Sequence, residues 1–172
     1  MATLPTHALV GCALVRLWPG ERKGWQLYAA AAAGAMLPDA DAIGFWMGVP
    51  YGALCGHRGL THSLCFAACT GLAAAWIARE KRAGLLLALA TATHGVLDAM
   101  TDGGLGVAFF SPFSNARYFL PWRPIEVSPI SITGFFEQGG MGSLQSELVW
   151  VWGPVLLVLL VISAIRASRR RA

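Results

Sequence analysis

The sequence predicts an all-α membrane protein: a polytopic helical bundle of about five transmembrane or membrane-embedded helices with one long interfacial loop. Three observations point there. Of the 172 residues, 56% are hydrophobic and only 13% charged, against about 25% charged in an ordinary soluble domain. Mean hydropathy is +0.56. The apolar residues also come in long blocks rather than in polar-apolar alternation, which sets aside a soluble amphipathic fold.

Leu148–Ile165 is the clearest span, eighteen residues without a charge followed by RASRRR. Gly59–Ala78 carries His62 as its only His, Asp, Glu, Lys or Arg, and Ala83–Met100 stays apolar until His94 and Asp98. Leu4–Trp18 and the alanine-rich Trp25–Leu37 are shorter, so they tilt, extend or insert only in part. The small-residue run AAAAAGA, residues 29–35, suits close helix packing within or between chains. Residues 1–172 form a single integral membrane domain, and 103–146 an interfacial loop or lid within it. In that loop Tyr118, Trp122 and the phenylalanines suit a membrane interface, and Arg117 and Arg123 suit anionic head groups. GFFEQGGMGS, residues 134–143, reads as flexible loop, since it lacks the strand and lysine of a phosphate-binding motif.

LVGC at residues 9–12 is not expected to be cleaved, because no basic segment precedes it and the apolar run is short. The four cysteines, Cys12, Cys55, Cys65 and Cys69, show no CxxC pair and read as small apolar side chains.

Basic residues gather in three groups: Arg16, Arg22 and Lys23; Arg79, Lys81 and Arg82; Arg166 with Arg169–Arg171. With five spans all three fall on one face, and Lys and Arg near span ends mark the cytoplasmic side. All four histidines and all four aspartates then lie at the non-cytoplasmic end. Because topology accounts for most basic residues, no nucleic-acid partner is expected.

The chemistry of that end reads as a metal site. His94 and Asp98 stand four apart on one helix face, and Asp102 either continues the stripe or forms a turn before Gly103–Gly104. LPDAD supplies Asp39 and Asp41, and HRGLTHS supplies His57 and His62, with Gly59 as a break and Thr61 as a helix cap. Imidazole and carboxylate are ligands of zinc and related ions, and packed carboxylates near a membrane repel unless a cation neutralises them. From the residues alone, His62, His94 and Asp98 are the centre.

PTHALVG, LPDAD, HRGLTHS, HGVLDAMTDGG and SPFS, in this order from about residue 5 to 114, resemble the motif series of the YdjM family of bacterial inner-membrane, metal-dependent hydrolases. The His/Asp pattern is more distantly similar to zinc-dependent phospholipase C. The resemblance implies metal ligation by His7, Asp39 or Asp41, His57, His62, His94 and Asp98. It also implies one or two divalent ions, zinc or manganese, since no histidine follows His94.

The resulting expectation is a multi-pass protein of the bacterial inner membrane that hydrolyses a lipid-linked phosphoester with a metal-activated water. His62, His94 and Asp98 hold the principal ion, and His7, His57 and Asp39 complete it or bind a second. Asp41 is the candidate general base; Arg58 either steadies developing negative charge or pairs with Asp39 or Asp41. The partners are the bilayer and a lipid-like substrate. A divalent-cation transporter or sensor, or a non-catalytic scaffold, are the rivals; transport needs polar groups through the bilayer depth, and Cys65–Ile77 and Leu85–Ala92 offer none.

Overall fold

In the computed structural model, residues 1–19, 23–137 and 139–169 are described. Arg22, Arg170 and Arg171 of the basic groups lie outside them. Among the described residues the fold is helical, without a named strand. In chain order it runs α1 (Leu4–Leu17), α2 (Trp25–Met36), a 3-10 helix (Leu37–Ala42), the single turn α3 (Ile43–Trp46), a 3-10 turn (Leu60–His62), α4 (Leu64–Ala78) and α5 (Lys81–Ala99). After an irregular stretch come α6 (Ile132–Glu137), α7 (Gly140–Glu147), a π-helical turn (Leu148–Trp152) and α8 (Gly153–Arg169).

Of the eight described α-helices, α1, α2, α4, α5 and α8 fall on the five expected segments in order, but a bundle of five spans does not follow from their lengths. Among the described residues, only α7 through α8, the continuous Gly140–Arg169, is long and apolar enough to cross a bilayer by itself. α1, at 14 residues, rises about 21 Å and α4, at 15, about 22 Å, short of a hydrocarbon core of about 30 Å. Exposed Leu72, Trp76 and Ile77 on α4 and Leu157, Leu160 and Val161 on α8 form an apolar surface of the kind that faces lipid.

Small residues let the helices close. α4 and α5 form an antiparallel hairpin across Arg79 and Glu80, with Arg79 in the left-handed region at φ 53°. At their crossing, a Cβ on Gly71 would stand 2.6 Å from Ala88 Cβ and 2.7 Å from the Gly84 carbonyl oxygen, so no larger residue fits. The alanine run packs within the chain: Ala31 and Ala35 are fully buried against Gly11 of α1. With Val15, Leu86 and Ala90 they form an apolar layer across the middle of the bundle.

The two ends of the bundle differ. At one, Arg166 donates to the carbonyls of Arg16 (3.0 Å) and Leu17 (3.1 Å), and Lys23 to those of Arg16 and Trp18, satisfying the open end of α1. Arg82 and Glu80 flank the same spot, beside Trp18 and Lys23. The histidines and aspartates occupy the other end.

Three local expectations are corrected. Residues 134–143 are not flexible loop but are largely helical, in α6 and α7. The cap of α4 is Ser63, whose hydroxyl accepts from Phe66 N at 3.0 Å, and not Thr61. Arg117 is engaged inside the protein rather than at head groups: it donates to the carbonyls of His57 (2.9 Å) and Tyr51 (3.0 Å).

Candidate metal centre

Four side chains from three elements converge at the polar end. Asp39 enters from the 3-10 helix after α2, where Pro38 breaks α-helical pairing and turns the chain back over the bundle. His62 ends the turn before α4, and His94 and Asp98 lie one turn apart on α5. All four are buried, and one donor atom of each lies within 4.8 Å of every other.

The separations suit an ion. His62 Nε2 stands 3.0 Å from His94 Nε2, 3.5 Å from Asp98 Oδ2 and 3.7 Å from Asp39 Oδ1. His94 Nε2 is 3.3 Å from Asp39 Oδ1 and 4.0 Å from Asp98 Oδ2. Four tetrahedral donors around zinc, at bonds of about 2.0–2.1 Å, stand about 3.3 Å apart. Neither oxygen of the buried Asp39 carboxylate has a hydrogen-bond partner among the described residues. A buried carboxylate without donors is costly unless a cation meets it. The donor set therefore fits zinc or a similar divalent ion.

A surrounding layer fixes each ligand. His94 Nδ1 donates to the Ala35 carbonyl at 2.7 Å; a carbonyl only accepts, so the bare nitrogen of a neutral His94 is Nε2. His62 Nδ1 faces Asp41 Oδ2 at 3.1 Å. Asp98 accepts from Arg58 Nε at 3.0 Å and from Ala2 N at 2.8 Å. Such outer partners orient ligating groups and raise their basicity. Gly95 shapes the same spot, because a Cβ there would come within 2.8 Å of the His62 carbonyl oxygen.

The remaining expected residues fall around this centre. Arg58 pairs with Asp98, not with Asp39 or Asp41. It is fully buried with φ 61°, and its other nitrogens donate to Gly103 O (2.8 Å) and Thr101 Oγ1 (2.9 Å). Asp41 lies behind His62 and accepts from His57 Nδ1 (2.7 Å), Thr61 Oγ1 (2.6 Å) and Arg58 N (3.2 Å). His57 stands outside the four-donor centre, but it forms a second candidate metal-holding group with Asp41 and His62, one donor atom of each lying within 4.8 Å of the others. His7 is not among the four converging donors; its ring stacks on His94 at 3.6 Å, with Nε2 3.6 Å from Asp98 Oδ1. Asp102 is a turn residue whose Oδ1 accepts Val127 N at 2.8 Å.

The electrostatics follow from these contacts. Burial works against ionisation of Asp41, but hydrogen bonds from His57 and His62 outweigh it and hold the carboxyl at about 2. Burial likewise opposes charge on His62, yet Asp39, Asp41 and Asp98 override it and raise the imidazole to about 10. Asp39 is pulled well below the carboxylate range by His62 and His94 despite its burial.

Glu147 was not singled out in the sequence. Fully buried before the π-helical turn, it accepts from Thr3 N and Thr3 Oγ1, each at 2.5 Å, and from Thr6 Oγ1 at 2.6 Å. It ties the start of α1, and with it His7, to the last helix. Its one sequence signal is a lone carboxylate at the edge of an uninterrupted apolar run.

An apolar cavity of about 780 Å³ lies beside the centre, with His57, Phe45, Trp46 and Ile130 among its walls.

No solved structure matches the chain. A curated relative, Inner membrane protein YbcI of Escherichia coli (strain K12), is 43% identical over 131 residues, covering 73% of this chain and 76% of the relative. The more distant similarity to zinc-dependent phospholipase C finds no support in these comparisons. The family model described as YdjM inner membrane protein matches residues 1–172. The motifs that meet in the buried His/Asp cluster are thus carried by a chain that belongs to the YdjM family of inner membrane proteins.

Proposed function

We propose that this protein is a metal-dependent hydrolase of the bacterial inner membrane. It crosses the bilayer with about five helices and works at the non-cytoplasmic end on a lipid-linked bond. The observation that carries this reading is the four-donor cluster Asp39, His62, His94 and Asp98, buried at one end of the bundle beside an apolar cavity. Its membership of an inner membrane protein family supports the location, and the gathering of basic residues at the opposite end supports the orientation.

Asp39, His62, His94 and Asp98 would hold the ion. A divalent ion so held supplies Lewis acidity and lowers the pKa of bound water to about 7. The chain's own residues position and insulate. Asp41 and the Ala35 carbonyl fix the ring orientations of His62 and His94, and Arg58 balances the charge of Asp98. In this reading Asp41 and Arg58 are positioning residues, because the first is covered by three donors and the second has no exposed surface.

The apolar layer of Val15, Ala31, Leu86 and Ala90 supports hydrolysis over transport, since an ion leaving the cluster for the basic end would meet no further ligand there. A lipid-linked phosphoester, the bond expected from the sequence, and a lipid amide both suit the metal centre. They differ in what they present to the cavity wall.

The test is metal content of detergent-purified protein by mass spectrometry, followed by turnover of lipid phosphoesters and lipid amides. About one equivalent of a transition metal, with turnover abolished by chelator and restored by the metal, is the expected result. A well-folded protein that takes up neither zinc nor manganese would overturn the reading.

A further inference from the structure

A pocket of about 190 Å³ opens at the basic end of the bundle, between Trp18, Lys23, Leu27, Glu80 and Arg82. Cations crowd it. Lys23 Nζ and Arg166 Nη1 donate to the same Arg16 carbonyl oxygen, at 3.2 and 3.0 Å, so two positive charges meet on one acceptor. Arg82 joins them from the first turn of α5. Among the described residues of the wall, Glu80 is the one carboxylate, so the pocket is net positive and suits an anion.

An apolar groove of about 920 Å³ continues from this pocket, and Leu27, Glu80 and Ala83 line both. α2 and α4 each pack against α5, through Gly34 on Leu87 and Gly71 on Ala88, and leave the groove open between them. It follows α2 from Gly24 to Leu37 and α4 from Ala78 back to Phe66. That stretch of α2 rises about 20 Å, more than the roughly 15 Å that one leaflet contributes to the hydrocarbon core. Gln26 and Glu80 stand at its basic end. Beyond them the one hydroxyl is that of Thr70, which is spent on the Phe66 carbonyl at 2.9 Å. A basic pocket that opens on an apolar groove of leaflet length matches a phospholipid, head group and chain. A second copy of this chain fits poorly there. Inserted the same way, it brings its own basic loops and the Arg166 end of α8 to this depth, where like charges would meet.

We propose that pocket and groove together bind one anionic phospholipid of the leaflet at the basic end. Its phosphate lies between Lys23 and Arg82, and an acyl chain lies along the groove between α2 and α4. Glu80 is left to accept from head-group hydroxyls. The site is at the far end of the bundle from the metal centre and does not depend on what that centre does.

The test is native mass spectrometry of full-length protein in mild detergent with an equimolar mixture of phosphatidylglycerol, phosphatidylethanolamine and phosphatidylcholine of identical chains. Bound zinc and Tm are measured on the same samples, to show that each variant folds. One phosphatidylglycerol per protein, retained at least fivefold over the other two lipids, is the expected result. Arg82→Gln should lower that retention about fivefold, the effect of one basic residue near a bilayer surface. Arg169→Gln, the same loss of charge outside the pocket, should leave it unchanged. Ala73→Trp, which fills the groove and spares the pocket, should lower it as well. Equal retention of the three lipids would overturn the proposal, as would undiminished retention in Arg82→Gln or Ala73→Trp. A loss in Arg169→Gln that matches the loss in Arg82→Gln would reduce the effect to bulk charge, and a lipid-free dimer would give the groove to a second copy; either sinks it. Failure of the hydrolase reading shows separately, as a wild-type protein without metal, and lipid retention is expected with or without zinc.

Discussion

Nε2 of His62 and Nε2 of His94 face each other at 3.0 Å, each ring held from behind, one by Asp41 and the other by the Ala35 carbonyl. Two bare lone pairs do not rest at that distance, so something positive lies between them. In the metal-free protein it is the proton of His62, which closes an N–H···N bond to His94. In the loaded protein the same place belongs to the ion.

Metal binding must therefore expel that proton. His62 holds it up to about pH 10 without metal, so apparent affinity should rise about tenfold per pH unit between pH 6.5 and 9. Calorimetric titration with zinc in two buffers of different ionisation enthalpy should return close to one proton released per ion. No release would show that His62 enters the site already neutral.

The same proton governs stability without metal. Its folded-state value lies above the ordinary 6.5, so its stabilisation is complete below pH 6.5 and is lost as pH rises through about 10. Asp41 acts in the opposite sense, contributing above pH 3.8 and fading as pH falls to about 2. Thermal unfolding of chelator-treated protein in detergent should show Tm falling on the alkaline side well before any lysine titrates.

Asp39 and Asp98 should separate cleanly although both are ligands. Asp39→Asn removes a carboxylate that supports the charge on His62 but closes no hydrogen bond of its own, so it should abolish metal binding and lower the metal-free Tm only modestly. Asp98→Asn strips Arg58 of its buried counter-charge and should destabilise the fold by about 3–5 kcal/mol. Equal Tm losses in the two variants would contradict this division.

Asp41→Asn should weaken zinc binding about 10–100-fold without removing the site, the usual effect of losing a partner behind a ligand. A competition assay against a chromogenic chelator measures it. Complete loss of binding would make Asp41 a ligand itself.

Orientation can be read from a native thiol. Cys55 is exposed and lies in the loop leading to His57, so a membrane-impermeant maleimide should label it in intact spheroplasts, and Cys55→Ser should remove that label. Labelling only after the membrane is opened would place the metal centre on the cytoplasmic side.

What was legible in the sequence was whatever period and spacing carry. His94 and Asp98, four apart, had to share a face of α5, and the apolar blocks marked the helices. The contacts that give each residue its role were not legible, because they join distant segments. Asp41 reads as well placed for a base as Asp39 does for a ligand; only the 3-10 geometry of Leu37–Ala42 turns one oxygen pair into the centre and the other behind it. Arg58 sits beside His57 in sequence, yet its left-handed backbone sends the guanidinium across to Asp98, 40 residues away. The order in 134–143 was hidden because glycine-rich composition resembles a loop, while Gly140 is close-packed against Phe135.

The clasp of Glu147 on Thr3 and Thr6 has a consequence for biogenesis. All four metal-holding side chains have been synthesised once Asp98 is made, but the carboxylate that pins the start of the chain, Glu147, is still about fifty residues from synthesis. Until its helix inserts, Thr3 and Thr6 lack their carboxylate partner, and the start of α1 is held beside Asp98 only by the Ala2 hydrogen bond and its packing on the neighbouring helices. A chain truncated before Glu147 would therefore carry every ligand, with the partners behind His94, His62 and Asp98 in place, but with the start of α1 unclasped.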